Sequence, residues 1–141
     1  MKLNSFAMTS ENQKIRSRHF DHIDLRVPNL AVARPFYAAL LPALGFSEDV
    51  SNGQWFQLEA ENQGAFFGIT ESARHVPNEN RIAFWVETIG EVNHLTEIIR
   101  KAGAQNIEGP GYDEGPGYYA VFFEDPCGNR LEICHREPKS R

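Results

Sequence analysis

The sequence predicts an α+β protein made of one unit stated twice, each copy running strand, helix, strands and hairpin. Three observations carry that expectation. His22–Val27 and Arg81–Val86 alternate apolar and polar residues with the same parity, at an offset of 59 (from 22 to 81). Each is followed by a segment of helical period that closes on a glycine, Gly45 in the first copy and Gly103 in the second. Each copy then ends in a hairpin, and the turn glycines Gly64 and Gly128 overlay at an offset of 64.

The elements follow in order. Residues 1–18 are polar and without period and read as an arm. In the strand from Phe20 to Val27, Ile23, Leu25 and Val27 share one face, while His22, Asp24 and Arg26 share the other. Asn29 can cap the helix that starts at Leu30, with Pro35 expected in its first turn and Pro42 expected to end or kink it. Gly53–Ala60 and Ala65–Glu71 read as a hairpin around Glu61-Asn62-Gln63-Gly64. The second copy repeats the plan, with a strand at Arg81–Thr88 and an amphipathic helix at Gly90–Gly103. Asn106–Gly117 should give a short strand and then a loop, because glycine and proline recur there. Tyr118–His135 closes the chain as a hairpin turning at Asp125-Pro126-Cys127-Gly128. The expected limits are 19–136 for one domain, with modules at about 19–72 and 80–136 and a tail at 137–141.

Bulk properties narrow the function. The 141 residues carry a formal net charge of -5, with the basic residues scattered, which argues against a nucleic-acid partner. No apolar run approaches the roughly 20 residues that cross a bilayer. No signal-peptide core is visible near the start, and only two cysteines occur, Cys127 and Cys134, so a cytoplasmic protein with free thiols is expected. Nucleophile elbows, phosphate loops, dinucleotide fingerprints and zinc-spaced Cys/His clusters are missing from the sequence.

One residue stands out. Glu132 lies between Leu131 and Ile133 in a strand that should be part of the core. The repeated βαβββ order, the opening Asp21-His-Ile-Asp-Leu-Arg-Val27 and the closing segment Gly115–His135 with its Asp-Pro-x-Gly-Asn-x-Leu-Glu ending resemble the vicinal oxygen chelate superfamily. That group includes glyoxalase I, bleomycin-resistance, fosfomycin-resistance and extradiol dioxygenase proteins. The resemblance spans Phe20–His135 and implies a curved mixed sheet with the helices outside. It also implies a metal in the concave face, held from four equivalent positions that here are His22, Gly68, Arg81 and Glu132.

Two of the four depart from the pattern. Glycine has no side-chain donor, and arginine is permanently cationic and repels a divalent ion. Asp24 or Cys134, each two residues from an expected ligand on the same strand face, stands as a replacement donor. Two readings follow from the resemblance. In one, the protein is a metal-assisted lyase, isomerase or transferase of a small oxygen-rich molecule, with His22 and Glu132 as ligands and Glu132 as catalytic group. In the other, it is a metal-free binding protein in which Arg81 pairs with Glu132, and Arg81, Trp85 and Tyr118 contact the ligand. A homodimer is expected by the same analogy.

Overall fold

The computed structural model describes residues 15, 17, 19–53 and 55–137, so most of the expected arm and all but the first residue of the expected tail lie outside the described residues. Strand β1 (His22–Val27) leads into helix α1 (Leu30–Ala43), followed by β2 (Glu48–Asp49), β3 (Trp55–Glu59) and β4 (Phe66–Glu71). The second module runs β5 (Arg81–Trp85), α2 (Ile89–Ala102), β6 (Gln105–Tyr112), β7 (Tyr118–Glu124) and β8 (Arg130–Arg136).

Hydrogen bonding divides the strands into two four-stranded mixed sheets, one per module, in the orders β1-β4-β3-β2 and β5-β8-β7-β6. In each, the first and last strands of the module are parallel and the remaining pairings antiparallel. The repeat is visible in the register. Asp24 lies opposite Gly68 in the first module, and the offsets of 59 and 64 carry that pair onto Ala83 opposite Glu132 in the second. Neither sheet closes into a barrel.

Both helices begin as their sequences suggest. The Asn29 side chain accepts from the Val32 amide at 3.2 Å, and Thr88 and Glu91 form a reciprocal capping box at the start of α2. Gly103 ends α2 in the left-handed region, at φ 105°. Pro35 falls in the second turn of α1, one turn deeper than expected. Its missing N–H deprives the Ala31 carbonyl, which lies on an exposed residue where water can substitute.

The inward sheet faces share one core with the helices. Val27, Phe67 and Ile69 of the first sheet, Val121, Leu131 and Ile133 of the second, and Phe36, Tyr37 and Leu40 of α1 are wholly buried in it. Each such side chain contributes about 1.5–3 kcal/mol on removal from water. The modules interlock through aromatic contacts: Phe84 of β5 lies 5.6 Å from Phe67 of β4, and Phe36 lies 6.3 Å from Phe123 of β7. Two polar links accompany them. The Tyr37 hydroxyl donates to Asp125 Oδ2 at 2.5 Å, and Asn129 Nδ2 donates to the Arg26 carbonyl at 3.0 Å. With the core on one side of each sheet, the faces bearing His22 and Glu132 are the sides turned away from it.

One expectation is corrected here. Gly109-Pro110-Gly111 is part of strand β6 rather than a loop. The strand lies at the edge of its sheet, where a proline's missing donor leaves no ladder bond unmade.

Candidate functional site

The outer face of the second sheet gathers most of the expected residues. Arg81, Ala83 and Trp85 of β5 alternate with the core residues Ile82 and Phe84, and the register brings Ala83 beside Glu132 and Trp85 beside Cys134. On the other flank of β8, Phe122 lies opposite Glu132 and Ala120 opposite Cys134. Glu132 is only 5% exposed, so this carboxylate is buried on a face that has no helix over it. Its neighbours Leu131 and Ile133 point into the core, which answers why an acid stands between two apolar residues.

A buried carboxylate needs a hydrogen-bond partner, and Tyr118 supplies it: the phenol donates to Glu132 Oε2. Burial pushes the Tyr118 hydroxyl well above its ordinary range, and the bond to Glu132 pushes it the same way. The phenol therefore stays protonated and remains a donor. Cys134 is buried beside them, and burial raises its thiol, with the Glu132 charge adding to the rise and a bond from Tyr118 opposing it. It is a small buried hydrophobe at neutral pH.

Arg81 is placed differently from expectation. No ion pair joins it to Glu132 among the described residues; its guanidinium instead lies over the Phe122 ring, 4.9 Å from the centroid. Tyr118 holds one oxygen of that carboxylate, and the aromatic face offers the cation an alternative partner. Trp85 is 55% exposed, with its ring 6.3 Å from that of His135, and it lines a cavity of about 320 Å³ with Leu44, Glu87, Glu91 and His94.

His22 and Asp24 occupy the outer face of the first sheet. The His22 ring stacks on Phe66 at 4.3 Å and its Nδ1 lies 2.8 Å from Asp21 Oδ2. The Asp24 carboxylate is engaged by Arg26. Within one chain, then, His22 and Glu132 belong to different sheets, and the cavity beside Trp85 is lined by neither. Among the described residues, no three His, Cys, Asp or Glu side chains converge as metal ligands. With glycine at 68, a guanidinium at 81, Asp24 neutralised by Arg26 and Glu132 bonded to a phenol, the donors present do not fit a divalent metal centre.

Sequence reasoning passed over Phe122 and Arg130. The alternation Tyr118, Ala120, Phe122 already placed Phe122 on the Glu132 side, and Arg130 shares the parity of Glu132. His75, half-buried in the connector between the modules, contacts Asn129 Oδ1 through Nε2 at 2.9 Å, so it braces the β7–β8 turn.

Comparison with known proteins agrees with this architecture. A family model described as the Glyoxalase/Bleomycin resistance protein/Dioxygenase superfamily matches residues 19–133. The uncharacterized protein YqjT of Bacillus subtilis is 27% identical over 124 residues, covering 79% of this chain and 94% of that protein. Among solved structures, a glyoxalase/bleomycin resistance protein from Albidiferax ferrireducens superposes with a TM-score of 0.70 at 24% identity, over 84% of this chain and 98% of that one. The fosfomycin resistance protein FosX of Mesorhizobium loti superposes with a TM-score of 0.64 at 14% identity, over 86% and 95% of the two chains. At such identities the structural likeness speaks for the fold. The chain belongs to the glyoxalase/bleomycin resistance protein/dioxygenase superfamily.

Proposed function

We propose that the protein binds a small anionic, aromatic molecule on the outer face of the second sheet, without a metal ion. The observation that carries this is the placement of Arg81: a guanidinium held over Phe122 stands where the family pattern expects a metal ligand, beside a carboxylate already bonded to Tyr118. An anion is drawn to that position and a divalent cation is repelled. Trp85 supplies an exposed aromatic surface on the same face, and Tyr118 and Phe122 continue it. Ligand sites of this kind combine apolar walls with a few fixed polar groups.

The cavity is completed in a homodimer. The first and last strands of each module pair with each other, and among the described residues β1 and β5 each keep one unpaired edge. Pairing β1 of one copy with β5 of another would join a His22-bearing face to a Glu132-bearing face and pair two strand edges. The net charge of -5 suits a small-molecule protein rather than a nucleic-acid binder. Among the described residues no helix is long and apolar enough to cross a membrane, and both cysteines are free, as fits a reducing cytoplasm.

A second reading has its own support. A buried carboxylate held in place by a phenol donor can exchange a proton with a bound substrate, so Glu132 also suits general acid/base work in a lyase, isomerase or transferase on an oxygen-rich substrate. One experiment ranks the two. Purified protein is assayed for bound metal, then titrated with aromatic carboxylates while Trp85 fluorescence is followed, with Trp85→Phe as control. Metal-free protein that binds with saturable quenching lost in Trp85→Phe supports the binder. Stoichiometric metal that is lost in His22→Ala overturns it in favour of the metal-assisted enzyme.

A further inference from the structure

A second cavity, of about 240 Å³, opens at the end of the same sheet face and is lined by Arg81, Asn106, Glu108, Phe122, Glu124 and Arg130 among others. Arg81 and Arg130 are register partners on the parallel strands β5 and β8, and they follow the parity of Glu132. Two permanent positive charges therefore project side by side from neighbouring strands. Like charges placed opposite each other in a sheet cost stability, normally relieved by intervening carboxylates. That relief is missing here. Among the described residues neither guanidinium forms an ion pair, although Glu124 is the cross-strand partner of Arg130. Glu124 instead accepts from Asn106 Nδ2 at 2.9 Å, and Glu108, opposite Phe122 on β6, is exposed to water. Phe122 contacts the Arg81 guanidinium through its ring face, a contact that uses no N–H donor.

We infer that Arg81 and Arg130 form a fork for a doubly charged tetrahedral oxyanion, the phosphate group of a small phosphate monoester. Two adjacent guanidinium planes offer bidentate donors from two directions, which matches the three outward oxygens of such a group better than the two of a carboxylate. The cavity is too small for a drug-sized ligand and sized for a head group, so the rest of the ligand extends toward Trp85 and Tyr118. Glu108 and Glu124 line the same cavity and disfavour ligands with further negative charge. This assignment deepens the binding reading above and rests on it for where the remainder of the ligand lies; the anion fork itself does not depend on the aromatic wall.

The test is calorimetric titration with inorganic phosphate, glycerol phosphate and acetate at constant ionic strength, on the wild type, Arg130→Gln, Arg81→Gln and Trp85→Phe. Both arginines are exposed, so the Gln variants should fold, which circular dichroism checks. The expected result is glycerol phosphate binding better than acetate, weakened about tenfold or more in each arginine variant, since each loses charged hydrogen bonds. Inorganic phosphate binding as well as the monoester would still support the fork and would place the remainder of the ligand outside the protein. Wild type that binds none of these anions, or Gln variants that bind as the wild type does, overturns the assignment. Trp85→Phe separates the two proposals. Phosphate binding retained there while aromatic carboxylates no longer bind keeps the fork, and aromatic binding retained in Arg130→Gln keeps the earlier reading when the fork fails.

Discussion

At the scale of single residues, the face around Glu132 is organised by one hydrogen bond. The carboxylate is buried, and the Tyr118 phenol is the donor that offsets its loss of water. Tyr118→Phe removes the donor and keeps the ring, so Glu132 should be left buried and unsatisfied. A loss of about 1–3 kcal/mol in urea-denaturation stability is expected, partly recovered in the double variant Tyr118→Phe/Glu132→Gln, where the charge is gone. Equal stability of the wild type and Tyr118→Phe would mean the bond carries nothing. The position of Glu132 was legible from its apolar neighbours, and that of Trp85 from strand parity. What parity could not decide was which of two donors, Arg81 or Tyr118, would reach the acid. That depends on strand twist and on Phe122 providing the guanidinium with a different surface.

At the scale of elements, alternation, capping and turn signals located the long strands and both helices, because each rests on a period set by its own residues. One strand was not visible in this way, and another only in its first part. Glu48–Asp49 is a two-residue strand too short to show a period, and β6 runs through glycine and proline that read as breakers. The β7–β8 turn was read correctly, and its energetics are sharp. Gly128 sits at φ 97°, and a Cβ there would meet Pro77 Cγ at 3.2 Å; Gly45, at φ 98°, has open space. Gly45→Ala should therefore cost only the left-handed strain of about 1–2 kcal/mol, and Gly128→Ala should cost more, since Pro77 must also shift. Thermal melts of the two variants check the order. A Gly128→Ala protein as stable as Gly45→Ala would mean the turn does not bear on the Pro77 segment.

At the scale of the whole molecule, the modules are tied by the buried Tyr37–Asp125 bond, and that tie gives stability a pH dependence. Burial, and then the charge of Asp125, raise the Tyr37 hydroxyl well above its ordinary 10.0; burial likewise raises Cys134 above 9.0. Groups raised in the folded state contribute stability that is complete below their unfolded values and is lost as pH climbs through the folded ones. Unfolding free energy should thus be insensitive to these groups between about pH 7 and 8, then fall from about pH 9 upward as the unfolded chain ionises first. Tyr37→Phe should flatten the part of the fall above pH 10, as followed by urea midpoints across the range. A slope unchanged in that variant would assign the alkaline loss to other groups.

The proposed assembly belongs to the same scale. Val86 donates its backbone N–H to the Cys134 carbonyl at 2.8 Å, so in β5 the residues of Val86's parity face β8. Alternation then turns the Ala83 N–H toward the unpaired edge. On β1 the same reasoning applies. The Asp21 and Val27 carbonyls accept from Phe66 and Ser72 beside β4, so the Arg26 carbonyl, taken by Asn129, faces outward. Ala83→Pro therefore removes a donor from the free edge while leaving the ladder to β8 whole, and proline is tolerated at such edges. A two-fold dimer made by β1–β5 pairing has this junction twice, so the variant loses about two hydrogen bonds of about 0.5–1.5 kcal/mol each. Sedimentation equilibrium should show a wild-type dimer and a dissociation constant raised about tenfold or more in Ala83→Pro, with the circular dichroism spectrum unchanged. A wild type that stays monomeric at tens of micromolar removes the shared cavity altogether. A variant that dimerises as tightly as the wild type moves the interface away from the strand edges, and His22 would then have no route to the face that carries Glu132.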